Sequence, residues 1–99
     1  MVPDEKREGW FLVGILLTNT SDDTIPQFTF KDFVPSTFEV DRESINPRPY
    51  SVSVSSAGTT ITWKLDLAPK ERYVLSYHVR AVSPDARISD LLKVYEISS

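Results

Sequence analysis

Cysteine is absent from this chain of 99 residues, and histidine occurs once. The first absence excludes a disulfide framework, a thiol nucleophile, an iron–sulfur cluster and every zinc site built on thiolates. The second removes His-rich metal sites and leaves His78 as the single candidate for imidazole chemistry. Glycine is scarce as well, 3 residues against 7 prolines, the reverse of average usage. Three dispersed glycines cannot build a Gly-rich phosphate loop, so no cofactor is expected. Long apolar runs are missing too: the longest, residues 10–17, covers 8 positions, far short of the roughly 20 that span a bilayer. It follows the mixed-charge stretch Asp4-Glu5-Lys6-Arg7-Glu8 and leads to no small-residue cleavage site, so it does not read as a signal peptide. As given, the chain is expected to be cytoplasmic, and a cell-surface module only if it is a fragment of an exported protein.

What is present describes a folded, mixed-charge chain. Hydrophobic residues make up 40% and charged residues 25%, too apolar for intrinsic disorder. Such a length accommodates one domain. Residues 9–99 are therefore expected to form a single domain behind a charged N-terminal lead at residues 1–8. Acidic residues outnumber basic ones, 14 to 11, for a net charge of −3. The basic residues, among them Arg42, Lys64, Lys70 and Arg80, stand singly among acids, so the basic footprint of a nucleic-acid binder is lacking.

The chain alternates between strand patterns and turns. Residues 10–17 are apolar on both faces, which predicts a strand covered on both sides. Residues 26–33 alternate, with Phe28 and Phe30 on one face and Thr29 and Lys31 on the other, and residues 37–41 alternate again. Asn46-Pro47-Arg48-Pro49 is a loop, because its two prolines remove two backbone donors. Residues 50–55 and 59–66 form a hairpin across Ser56-Ala57-Gly58, the second strand placing Ile61, Trp63 and Leu65 on one face. Residues 71–82 carry Tyr73, Leu75, Tyr77, Val79 and Ala81 inward. A helical turn is expected at residues 84–87, and a last strand near residues 91–97. No stretch supplies the amphipathic helix of a parallel βαβ unit. The fold class is all-β, an antiparallel β-sandwich of about seven strands.

Leu67-Ala68-Pro69-Lys70-Glu71-Arg72-Tyr73, running into Leu75, Tyr77, Val79 and Ala81, resembles the tyrosine-corner segment of fibronectin type III and immunoglobulin-like domains. Tyr73 is the corner candidate, since a buried hydroxyl there needs the upstream turn backbone as its partner. A wider pattern joins it. Asn19 closes a strand, Asp32-Phe33-Val34-Pro35 precedes Phe38-Glu39-Val40, and Trp63-Lys64-Leu65-Asp66-Leu67-Ala68-Pro69 leads into the corner. Together these resemble the immunoglobulin-like conserved-repeat modules of archaeal and bacterial surface proteins over residues 11–81. The chain departs from them at Pro69-Lys70, where they carry Pro-Gly. The resemblance implies a non-enzymatic structural or protein-interaction domain of a larger archaeal or bacterial protein, with a protein partner held by loops or a sheet edge.

Each chemical candidate has a structural competitor. His78 shares its polar face with Ser76, but side chains two apart on a strand diverge and make a poor nucleophile–base pair. Asp22 and Asp23, with Asn19 and Ser21, could offer oxygens to calcium, yet their spacing matches no calcium loop, and a hydrophilic turn explains them. Asp32 is expected to accept backbone hydrogen bonds that shape the bend before Pro35. Glu39, Asp41, Glu43 and Asp66 show no sign of the convergence a glycosidase needs. Trp10, Phe11, Tyr50 and Trp63 could form a sugar-stacking platform, which makes a carbohydrate-binding module the alternative function, although Trp63 lies in the core phase. Asn19-Thr20-Ser21 fits the glycosylation acceptor pattern. No catalytic, cofactor or metal residue is assigned.

Overall fold

A computed structural model describes residues 2–3, 9–84, 86 and 93–97. These form eight strands: β1 Val2–Pro3, β2 Trp10–Asn19, β3 Ile25–Pro35, β4 Phe38–Asn46, β5 Ser51–Val54, β6 Gly58–Leu67, β7 Arg72–Ala81 and β8 Lys93–Ile97. No helix occurs among the described residues. Seven of the strands fall where the sequence pattern places them. The eighth, β1, lies inside the expected lead and pairs with β2, so part of that lead belongs to the sheet. Residues 4–8, and residues 85 and 87 of the expected turn, lie outside the described residues.

Two sheets make an all-β sandwich. In the first, β4 pairs β7, β7 pairs β2, and both β1 and β8 lie along the far edge of β2; the second runs β3-β6-β5. Every pairing is antiparallel except β2 with β8, which is parallel from Ile15↔Lys93 to Asn19↔Ile97. The chain leaving β7 does not turn back beside it, because β2 already occupies that edge.

The core follows from strand periodicity, since successive side chains point to opposite faces. Val13, Ile15 and Leu17 of β2, with Leu75, Tyr77 and Val79 of β7, face Phe30 and Val34 of β3 and Ile61, Trp63, Leu65 and Leu67 of β6. Strand β2 is not covered on both faces, as its apolar run suggests. Its odd positions from Val13 to Asn19 are buried, while Leu12 and Leu16 are half-buried and Gly14 is exposed.

Local chemistry fixes the ends. Between Ile25 and Phe28 of β3 the register shifts, so that Pro26 and Gln27 oppose the single residue Asp66. Gln27 takes a φ of 49° there, and its N–H donates to the Asp66 carboxylate at 2.8 Å; two residues against one is a β-bulge. Lys70, at the position where the resembled modules carry glycine, has a φ of 60°. Its ammonium donates to the Thr20 carbonyl at 2.6 Å, and the Glu71 N–H closes the turn on the Ala68 carbonyl. The indole of Trp63 donates to the Pro47 carbonyl at 2.9 Å, which holds the proline loop against the sandwich.

Gly58 opens β6 with a φ of 155°, and a Cβ there would overlap the Val34 carbonyl oxygen and the Phe33 ring. Backbone cannot yield as a flexible side chain can. Gly58→Ala is therefore expected to cost roughly 1–3 kcal/mol, the range for an overpacked site. Urea denaturation should show a lower midpoint at unchanged slope.

Candidate functional site

Asn19 is fully buried at the end of β2. Its side-chain amide lies 2.9 Å from the Asp23 carbonyl, 3.1 Å from that of Leu67 and 2.9 Å from that of Ala68. Its Oδ1 accepts the Ser21 N–H at 3.0 Å and the Ser21 hydroxyl at 2.7 Å. The amide that would receive a glycan is thus the group that joins the first sheet to the exit of β6. In the folded chain Asn19 is a structural residue. Asn19→Asp would aim a carboxylate at three carbonyls. An unsatisfied buried charged group costs upward of about 2 kcal/mol, so this variant should lose at least that much stability in chemical denaturation.

The loop that follows is likewise engaged in structure. Asp22 pairs with Lys70 at 3.3 Å, and the Asp23 carbonyl accepts from Asn19 and Ser21. Among the described residues, no three His, Asp or Glu side chains are grouped to hold a metal ion.

Asp32 is buried and accepts the hydroxyl of Tyr77 at 2.5 Å, a bond from the second sheet to the first. This bond moves the tied tyrosine from Tyr73 to Tyr77. Tyr73 is half-buried opposite Leu17, and its hydroxyl makes no hydrogen bond among the described residues. The corner between β6 and β7 is tied instead by Asn19. Parity carried the signal for both: Asp32 shares a phase with Phe30 and Val34, and Asn19 with Val13, Ile15 and Leu17.

Burial holds the Tyr77 hydroxyl protonated well above the ordinary tyrosine range, and the adjacent Asp32 carboxylate adds to the effect through charge and hydrogen bond. An unfolded tyrosine releases its proton near pH 10. Above that pH the unfolded chain binds fewer protons than the folded one, so this contribution to stability falls as pH rises. Tyr77→Phe should be less stable than the parent at neutral pH. Its loss of stability between pH 9 and 11, followed by denaturation midpoints, should be shallower.

The remaining candidates do not gather into a site. His78 is half-buried, in register between Leu12 and Asp41, and its backbone N–H donates to the Ser44 hydroxyl at 2.8 Å. Glu39 pairs with Arg80 at 2.9 Å, Asp41 accepts the Glu43 N–H, and Asp66 belongs to the bulge of the other sheet. The aromatic residues are dispersed too. Trp63 is in the core, Lys64 sits over the Tyr50 ring at 4.0 Å, and Arg80 lies 5.3 Å from the Trp10 ring.

One concave site does appear, a mostly apolar cavity of about 310 Å³ between the start of β4 and the β5–β6 turn. Phe38, Val40 and Arg42 of β4 line it, together with Val54 of β5 and Val82 just past β7. These β4 residues pass from buried Phe38 to half-buried Val40 to exposed Arg42. Val54 is opposite Thr59 and so shares the inward phase of β5, yet it is 65% exposed. The Trp63–Pro47 hydrogen bond closes this side of the sandwich lower down. Beside the opening runs the outer edge of β5, which pairs only with β6. Sequence reasoning missed this site, since it depends on which edges the topology leaves side by side.

The chain matches no protein-family model, no curated protein and no solved structure. Among the described residues, no helix is long and apolar enough to cross a membrane.

Proposed function

We propose that this domain is a non-enzymatic protein-interaction module, an immunoglobulin-like sandwich that takes an extended segment of a partner along the open side between β4 and β5. One observation carries the reading: a free strand edge runs beside an apolar cavity. An added strand gains main-chain hydrogen bonds from the edge and side-chain specificity from the cavity.

The free edges are unequal, which favours β5. The outer edge of β3 carries Pro26, the bulge at Gln27, Lys31 and Pro35. Strand β4 carries Glu39, Asp41, Arg42 and Glu43 and an irregular register after Asp41. Prolines, bulges and charges are the usual means by which an edge avoids pairing. Strand β5, Ser51–Val54, has none of these and is blunted only by its length of 4 residues. At about 310 Å³ the cavity sits at the low end of ligand pockets, which run roughly 300–1,000 Å³, a size suited to one or two apolar side chains. The resemblance to modules of archaeal and bacterial surface proteins supports the same reading, with the domain working as part of a longer chain.

Selection of a displayed library of linear peptides against the full chain tests this. Enriched peptides should lose at least about tenfold in affinity, some 1.4 kcal/mol, on Val54→Asp, a substitution at an exposed position. Val74→Asp, on the outer face of the first sheet, should leave binding unchanged. An empty selection, or binders indifferent to Val54→Asp, would overturn the proposal.

A further inference from the structure

Resting on that reading, we infer that the segment taken by the β4–β5 opening carries an apolar side chain for the cavity and, close to it along the segment, a carboxylate for Arg42. The argument is one of charge within a small site. Two charged residues line the opening, Glu39 and Arg42. Glu39 is neutralised by Arg80 at 2.9 Å. Arg42 is exposed and makes no ion pair among the described residues. The opening therefore presents one uncompensated positive charge on a chain whose net charge is −3. A basic partner would be attracted to the protein as a whole but repelled at this point.

Strand geometry sets the spacing. Phe38, Val40 and Arg42 all line the opening, and two extended residues place the charge about 7 Å beyond Val40 along β4. A partner strand lying beside β5 presents its own side chains to the opening at every second residue. One that fills the cavity with an apolar residue brings its next same-face residues to the level of Arg42. The planar guanidinium suits a carboxylate there, with two parallel N–H donors available. The partner chemistry is thus an acidic, alternating, β-forming segment.

Two synthetic ten-residue peptides of β-forming residues, identical except for Glu or Lys two positions after a central Leu, provide the test, read by fluorescence anisotropy against the full chain. The Glu peptide should bind roughly five- to tenfold more tightly than the Lys peptide, the scale of a partly exposed ion pair and its reversal. Arg42→Glu should invert that order and Arg42→Gln should abolish it, with melting temperatures confirming that both variants fold. Replacing Leu by Ser should remove binding of either peptide. Equal binding of both peptides, unmoved by Arg42→Glu but lost on Val54→Asp, would overturn the charge inference and leave the edge reading standing. If neither peptide binds and library selection is also empty, both fall.

Discussion

The buried amide of Asn19 is the constraint on which the sandwich depends. It stands at the end of a strand of one sheet and reaches the last carbonyls of a strand of the other, while its oxygen orders the loop at residues 20–23. Apolar packing alone is non-directional and would let the two sheets slide. Directional bonds remove that freedom at three levels: Asn19 at one end, Tyr77 with Asp32 in the middle, and Trp63 with the Pro47 carbonyl along one side. The opening between β4 and β5 lies where these cross-ties stop. The candidate site and the stability of the fold are thus two aspects of one distribution of polar contacts.

The sequence was most informative about elements and least informative about ties. Period-two alternation located β3, β5, β6 and β7, and it put Trp63, Leu75 and Val79 in the core, because a strand with one buried face must alternate. It misjudged β2, where Leu12 and Leu16 extend the apolar run onto a face that is only half-buried. The partners of the polar residues that fix the sheets were not legible, for a shared reason. Asn19, Asp32 and Tyr77 were weighed by residue type and local spacing, whereas their roles come from partners 45 or more positions away. Parity held the missing information, since a polar residue in an apolar phase must find a partner inside. The opening itself was not legible, because it needs the knowledge that β4 and β5 end their respective sheets on the same side.

Lys70 shows how such a fold tolerates a local departure. A left-handed backbone at a non-glycine residue costs about 1–2 kcal/mol. Lys70 offsets part of this with its own side chain, through the Thr20 carbonyl and Asp22, and its N–H reaches the Ser21 carbonyl. A glycine would ease the backbone but could not hold the neighbouring loop. The departure from the Pro-Gly pattern therefore exchanges conformational ease for a connection between two turns.

The placement of β8 has a mechanical consequence. Strand β2 begins at Trp10 at one end of the molecule, and β8 finishes at Ile97 at the other, with five consecutive residue pairs between them running in parallel. Tension applied through those two points would draw the strands along their length in opposite directions. The bonds between them would be loaded together, in shear, and none could open before its neighbours. An antiparallel hairpin pulled from its open end would instead unzip one pair at a time. In a chain under load, this one parallel contact would decide whether the domain yields gradually or all at once.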